Sequence, residues 1–138
     1  GKWQSDFKKL IEHCLKDGVR GKEVVELLRP GEEDYFVLKP KHSGFYSTTL
    51  DTLLRYLKVR TLILAGVAGN ICVLFTANDA FLRDYYIFVP SDCVASNHVE
   101  DNDYALRQME QVLKADIRHS DELDLERINS RDFAPKNA

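Results

Sequence analysis

Apolar positions along this chain fall into two patterns, helical spacing and short unbroken runs. Trp3, Phe7, Leu10, Ile11, Cys14 and Leu15 lie three or four residues apart, as on one face of a helix, and Gly18 closes the pattern as a C-terminal cap. Residues 23–28 predict a second short helix, stopped by Pro30 and Gly31. Tyr35, Phe36, Val37 and Leu38 form an unbroken apolar run, which predicts a short buried strand. Helical spacing returns at Leu50, Leu53, Leu54 and Leu57 behind Ser47, a fitting N-cap. Residues 61–65 form an unalternating run suited to a strand buried on both faces. A helix over 71–82, a strand over 86–89 and a helix over 99–115 follow, the last with Tyr104, Ala105, Met109, Val112 and Leu113 inward. Residues 115–118 predict one more short strand.

Strands alternating with helices through short turns predict an α/β fold with a mainly parallel sheet covered by helices on both sides. Residues 1–118 are assigned to this domain, and 119–138, where charges mix, to a C-terminal tail or an arm that packs on a partner. With 138 residues, 44% of them hydrophobic, the chain has material for one core. The apolar run 61–67 is too short to cross a bilayer, so no membrane partner is expected. Net charge is −3 and the basic residues are scattered, which argues against nucleic acid. Three cysteines, Cys14, Cys72 and Cys93, have no paired spacing, so a reducing, cytoplasmic setting is expected.

Ligands of parallel sheets gather beyond the carboxyl ends of the strands, which singles out Lys39, residues 66–72 and residues 91–96. The stretch from Gly66 to Cys72 joins a buried strand to a helix, placing Cys72 in a first turn where free N–H groups and the helix dipole favour an anion. Lys39, at the end of another strand, would add a positive charge beside a thiolate nucleophile. By position alone, Cys72 also fits a small buried apolar residue and Lys39 a solvated strand-end lysine.

Three stretches carry a resemblance. Leu64-Ala-Gly-Val-Ala-Gly-Asn-Ile-Cys-Val-Leu-Phe-Thr-Ala-Asn-Asp-Ala80 resembles the nucleophile motif of the isochorismatase-like superfamily of cysteine hydrolases. Lys39-Pro-Lys-His-Ser-Gly-Phe45, followed by Thr49-Leu50, is similar to its catalytic-lysine motif, and Val89-Pro-Ser-Asp92 with Ala95-Ser96 to the loop after the next strand. The resemblance implies a three-layer α/β/α sandwich with a Rossmann-like sheet. It implies Cys72 and Lys39 as catalytic residues, the backbone N–H groups of Ala68 and Cys72 as the oxyanion hole, and a cis Val67–Ala68 peptide. Trp3, Phe45 and Val67 would contact a small-molecule substrate. Relatives with the cysteine are mostly amidases acting through a thioester, whereas those cleaving the enol ether of isochorismate lack it. Amide hydrolysis is thus implied, with a noncatalytic binding or assembly protein and a redox-sensing thiol protein as alternatives. At Gly69 relatives often carry Thr.

The resemblance also calls for a catalytic Asp from an opening segment, and no Asp of this chain matches it, Asp6 lying on the wrong element. The N-terminal strands are expected to be missing from this chain. Their loss would expose strand edges, so an N-terminal segment of the same protein, possibly as a separate chain, is an expected partner. A homo-oligomer is expected too, as relatives often assemble. Some nicotinamidase-type relatives bind a metal near their N-terminus; on this chain no metal or other cofactor is expected, since His13, His42, His98 and His119 lack ligand spacing. Asp79 and Asp92 read as hydrogen-bonding or capping residues, and Cys14 and Cys93 as buried structural ones.

Overall fold

The computed structural model describes residues 22–129, and the chain separates into two compact units, residues 1–36 and 37–138. The helix expected over residues 3–15 and Trp3 lie outside the described residues. In the first unit, α1 (Lys22–Leu27) ends ahead of Pro30, whose ring disfavours helix in the residue before it. Lys22 and Glu26 pair across one of its turns at 3.8 Å.

Parallel strand pairs organise the second unit. β1 (Thr61–Ile63) runs beside β3 (Tyr86–Phe88), with Thr61 opposite Tyr86 and Ile63 opposite Phe88. β-branched and aromatic side chains suit such a pleated surface. On the other edge of β3, Asp116 bridges Phe88: its N–H donates to the Ile87 carbonyl and its own carbonyl accepts from Val89. The strand expected over 115–118 is one bridge long, because the Asp116 carboxylate accepts from the Arg118 N–H and turns the chain away. β2 (Gly66–Val67) pairs in parallel with β4 (Val94–Ala95). Gly66, at φ +112°, swings the chain from one ladder to the next. Before it the Leu64 N–H donates to Phe88, and at Gly66 itself the N–H donates to Cys93.

A π-helical turn (Gly69–Val73) leads into α3 (Leu74–Phe81). Val73, Ala77 and Ala80 bury one stripe of this unit, and α3 packs on β3 and on α4 (Val99–Leu113). The alanines keep the elements close, and Met109 of α4 is fully buried among them. Tyr104 and Val112, expected inward, are each 56% exposed, and Leu106 is buried instead. At about 100° per residue, positions 105, 106, 109 and 113 share an arc that leaves 104 on the far side.

Two further expectations are corrected. Ser47 sits at φ 52° and caps nothing; α2 (Leu50–Tyr56) begins at Thr49, and the Thr48 hydroxyl accepts from the Leu50 N–H at 3.2 Å. Residues 35–38 form no strand, and Phe36 and Leu38 are largely exposed. Apolar residues make burial favourable, but a strand exists only where a neighbouring backbone supplies hydrogen-bond partners.

A 3-10 turn (Ser120–Glu122) and α5 (Leu125–Ile128) follow the sheet, and the Ser120 N–H and hydroxyl both donate to the Asp92 carboxylate. No described helix is long and apolar enough to cross a membrane. The α/β class expected from the alternation of elements is the class observed.

Candidate active site

Cys72 is carried by the π-helical turn that follows β2. The Val67–Ala68 peptide is cis. The Ala68 carbonyl accepts from Ile71 at 3.1 Å and from Val73 at 3.2 Å, the second bond spanning five residues and closing the wider turn. Cys72 is half-buried.

Beneath the turn lies a polar network that reading the sequence did not reveal. The Asn70 N–H donates to Ser96 Oγ at 3.0 Å, that hydroxyl donates to Asn102 Oδ1 at 2.9 Å, and Asn102 Nδ2 reaches the Val94 carbonyl at 3.4 Å. A Cβ on Gly69 would come within 2.3 Å of Asn102 Oδ1. Glycine therefore stands there because α4 sends an amide side chain where a larger residue would sit. The glycine in place of the resemblance's Thr was the one sequence signal, and nothing local marked Asn102 as its complement.

Lys39 arrives from the irregular segment before α2. Its Nζ donates to Cys72 Sγ at 3.2 Å and to the Lys41 carbonyl at 3.2 Å. Although Lys39 and its neighbours Pro40 and Lys41 are exposed, the segment is anchored by buried Ser43 and Phe45. The Gly44 N–H donates to Thr76 Oγ1 at 2.9 Å, and that hydroxyl donates to the Cys72 carbonyl at 2.7 Å. Partial burial of Asp79 works against its ionisation, but the Ser43 hydroxyl and the Arg83 guanidinium outweigh it and hold the carboxyl below its ordinary 3.8.

Lys39 and Cys72 meet at a cavity of about 170 Å³, lined also by Leu64, Ala65, Val67, Val73 and Thr76. Val67, 75% exposed, contributes to its wall. Phe45 lies elsewhere. It is buried with its ring 6.1 Å from that of Tyr85 and the Arg83 guanidinium 4.7 Å from its centre, and it does not line the cavity. Cys93 is half-buried and its carbonyl is taken by Gly66. Asp92 is held below the ordinary carboxylate value chiefly by the Ser120 hydroxyl. The cavity lining includes no carboxylate among the described residues, and no three of their His, Cys, Asp and Glu side chains converge as metal ligands.

The isochorismatase domain matches this chain over residues 1–121. The uncharacterised isochorismatase family protein YaaI of Bacillus subtilis is 50% identical over 123 residues, covering 89% of this chain and 67% of that protein. The crystal structure of the nicotinamidase SaPncA from Staphylococcus aureus superposes with a TM-score of 0.64 at 32% identity, covering 72% of this chain and 63% of that one. N-carbamoylsarcosine amidase from Thermoplasma acidophilum gives a TM-score of 0.64 at 39% identity, over 78% of this chain and 60% of that one. The chain spans roughly two thirds of the length of these relatives. A match over most of the sequence, joined to a shared parallel fold, places the chain in the isochorismatase family.

Proposed function

We propose that this chain carries the nucleophile half of a cysteine-dependent hydrolase acting on a small amide. The observation that carries the reading is the 3.2 Å approach of Lys39 Nζ to Cys72 Sγ beside a small, mostly apolar cavity. An ammonium at that distance is placed to pair with the sulfur once its proton has left. The similarity to a nicotinamidase and to an N-carbamoylsarcosine amidase supports an amide as the bond cleaved.

In the proposed reaction the substrate carbonyl lies against Leu64 and Val73, and Cys72 Sγ adds to its carbon. The carbonyl π electrons pass to oxygen, where the N–H groups of Ala68 and Cys72 stabilise the charge. Collapse of this adduct breaks the C–N bond, and the nitrogen leaves with the proton that the thiol gave up, leaving a thioester on Cys72. Water then attacks the thioester, one of its protons passes to the departing sulfur to restore the thiol, and the acid is released with the other. A carboxylate that shuttles these protons would come from outside the described residues, since the described lining contains none. Val67 contacts the substrate at the cavity wall.

Release of ammonia or amine from a panel that includes nicotinamide and N-carbamoyl amino acids tests the reading. Cys72→Ala should lower turnover by about four orders of magnitude, and acid-quenched samples should carry the acyl group on the Cys72 peptide. Turnover unchanged in Cys72→Ala would reject it. Reversible peroxide oxidation of Cys72 with no amide cleaved would favour a redox thiol, and binding of an amide without cleavage a noncatalytic protein.

A further inference from the structure

Cys72, Thr76 and Asp79 are spaced four and three residues apart, so they follow one stripe of the turn and helix that begin at Gly69, and Arg83, four residues on, lies just past the helix end. The segment bearing Lys39 lies along that stripe. Lys39 meets Cys72, the Gly44 N–H meets Thr76, the Ser43 hydroxyl favours the charged form of Asp79, and the Phe45 ring lies against Arg83. The contacts to Asp79 and Arg83 secure the segment, and the contact to Thr76 lies nearer the nucleophile.

We propose that Thr76 is a positioning residue whose one hydroxyl fixes the root of Lys39 relative to Cys72. A helical Thr commonly donates to the carbonyl four residues back, so its bond to Cys72 alone would mean little. The bond it accepts from Gly44, from a separate segment, turns that local bond into a clamp between the two reactive residues. Gly44 fits the clamp closely: a Cβ there would lie 3.2 Å from Leu50 Cδ2 and 3.5 Å from Thr76 Cγ2. Lys39 needs such a root. Its side chain is long, exposed and rich in rotamers, and the Lys41 carbonyl is the only other acceptor it meets among the described residues. The inference rests on the Lys39 and Cys72 pairing proposed above and names what maintains it.

The test is the rate at which iodoacetamide alkylates Cys72 at neutral pH in the full chain, followed on its own peptide by mass spectrometry. Thr76→Val should slow the reaction about tenfold, the scale expected when a reacting pair is displaced by a fraction of an ångström. Thr76→Ser, which keeps the hydroxyl, should restore most of the rate. In a Lys39→Ala background Thr76→Val should have no further effect. If Thr76→Val fails to fold, Gly44→Ala loads the same contact from the other side and should slow alkylation in the same Lys39-dependent way. A Thr76→Ser rate as low as that of Thr76→Val, or equal slowing with and without Lys39, overturns the clamp while leaving the pairing intact. An unchanged rate in Lys39→Ala overturns both.

Discussion

The nucleophile side of the cavity and its lysine side are held by different kinds of bond. Residues 64–77 hang on backbone ladders to Phe88, Cys93, Val94 and Ala95 and on buried Val73 and Ala77. Residues 39–45 have no strand partner among the described residues and depend on side chains of the neighbouring helix and the turn after it, chiefly Thr76, Asp79 and Arg83. Backbone ladders are lost only with the fold, whereas single side-chain bonds contribute little each and can be removed one at a time. The thiol is thus built into the fold, and its cation is attached to it.

Damage to the first side should therefore appear in stability. Met109→Ala empties the space beneath α3 and should cost about 3 kcal/mol in urea unfolding. Gly69→Ala forces Asn102 off Ser96 and should cost about 2 kcal/mol, part of it recovered when Asn102→Ala makes room. Equal costs with and without Asn102 would break the account of that glycine.

Damage to the second side should appear in reactivity and in pH dependence. Asp79 has its folded pKa lowered, so its contribution is whole above the ordinary 3.8 and is lost as pH falls through the lowered value. Asp79→Asn should then destabilise near neutral pH and converge with the parent chain in acid, which unfolding at several pH values would show. The smallest effect lies outside the cavity lining. The His119 pKa is raised from 6.5, first by its hydrogen bond to Asp121 and despite some desolvation, with help from the Asp92 charge. Its contribution is present below 6.5 and fades as pH rises through the raised value. An NMR titration should place His119 above the usual imidazole value, and Asp121→Asn should bring it down.

Much of this arrangement was legible in the residues. The run after Arg60 announced a strand, because local chemistry decides that, but β1 is only half-buried, with Ile63 43% exposed, where burial on both faces was expected. The meeting of Lys39 and Cys72, 33 residues apart, was expected from their places after predicted strands, and family resemblance added the catalytic reading. Residues 35–38 misled because apolarity records a preference for burial while a ladder needs a second backbone. The π-helical turn was hidden because one wide turn hardly alters helical periodicity. Asn102 on Ser96 and Ser120 on Asp92 are long-range polar contacts, fixed by how elements pack and unmarked in either partner's neighbours.

Iodoacetamide labelling of Cys72 at neutral pH, compared with Cys93 and repeated in Lys39→Ala, addresses the central claim most directly. The account predicts that Cys72 reacts well ahead of Cys93, and that removing Lys39 takes away most of that lead without lowering the melting temperature. Equal rates at the two cysteines, or a Cys72 rate indifferent to Lys39, would contradict it.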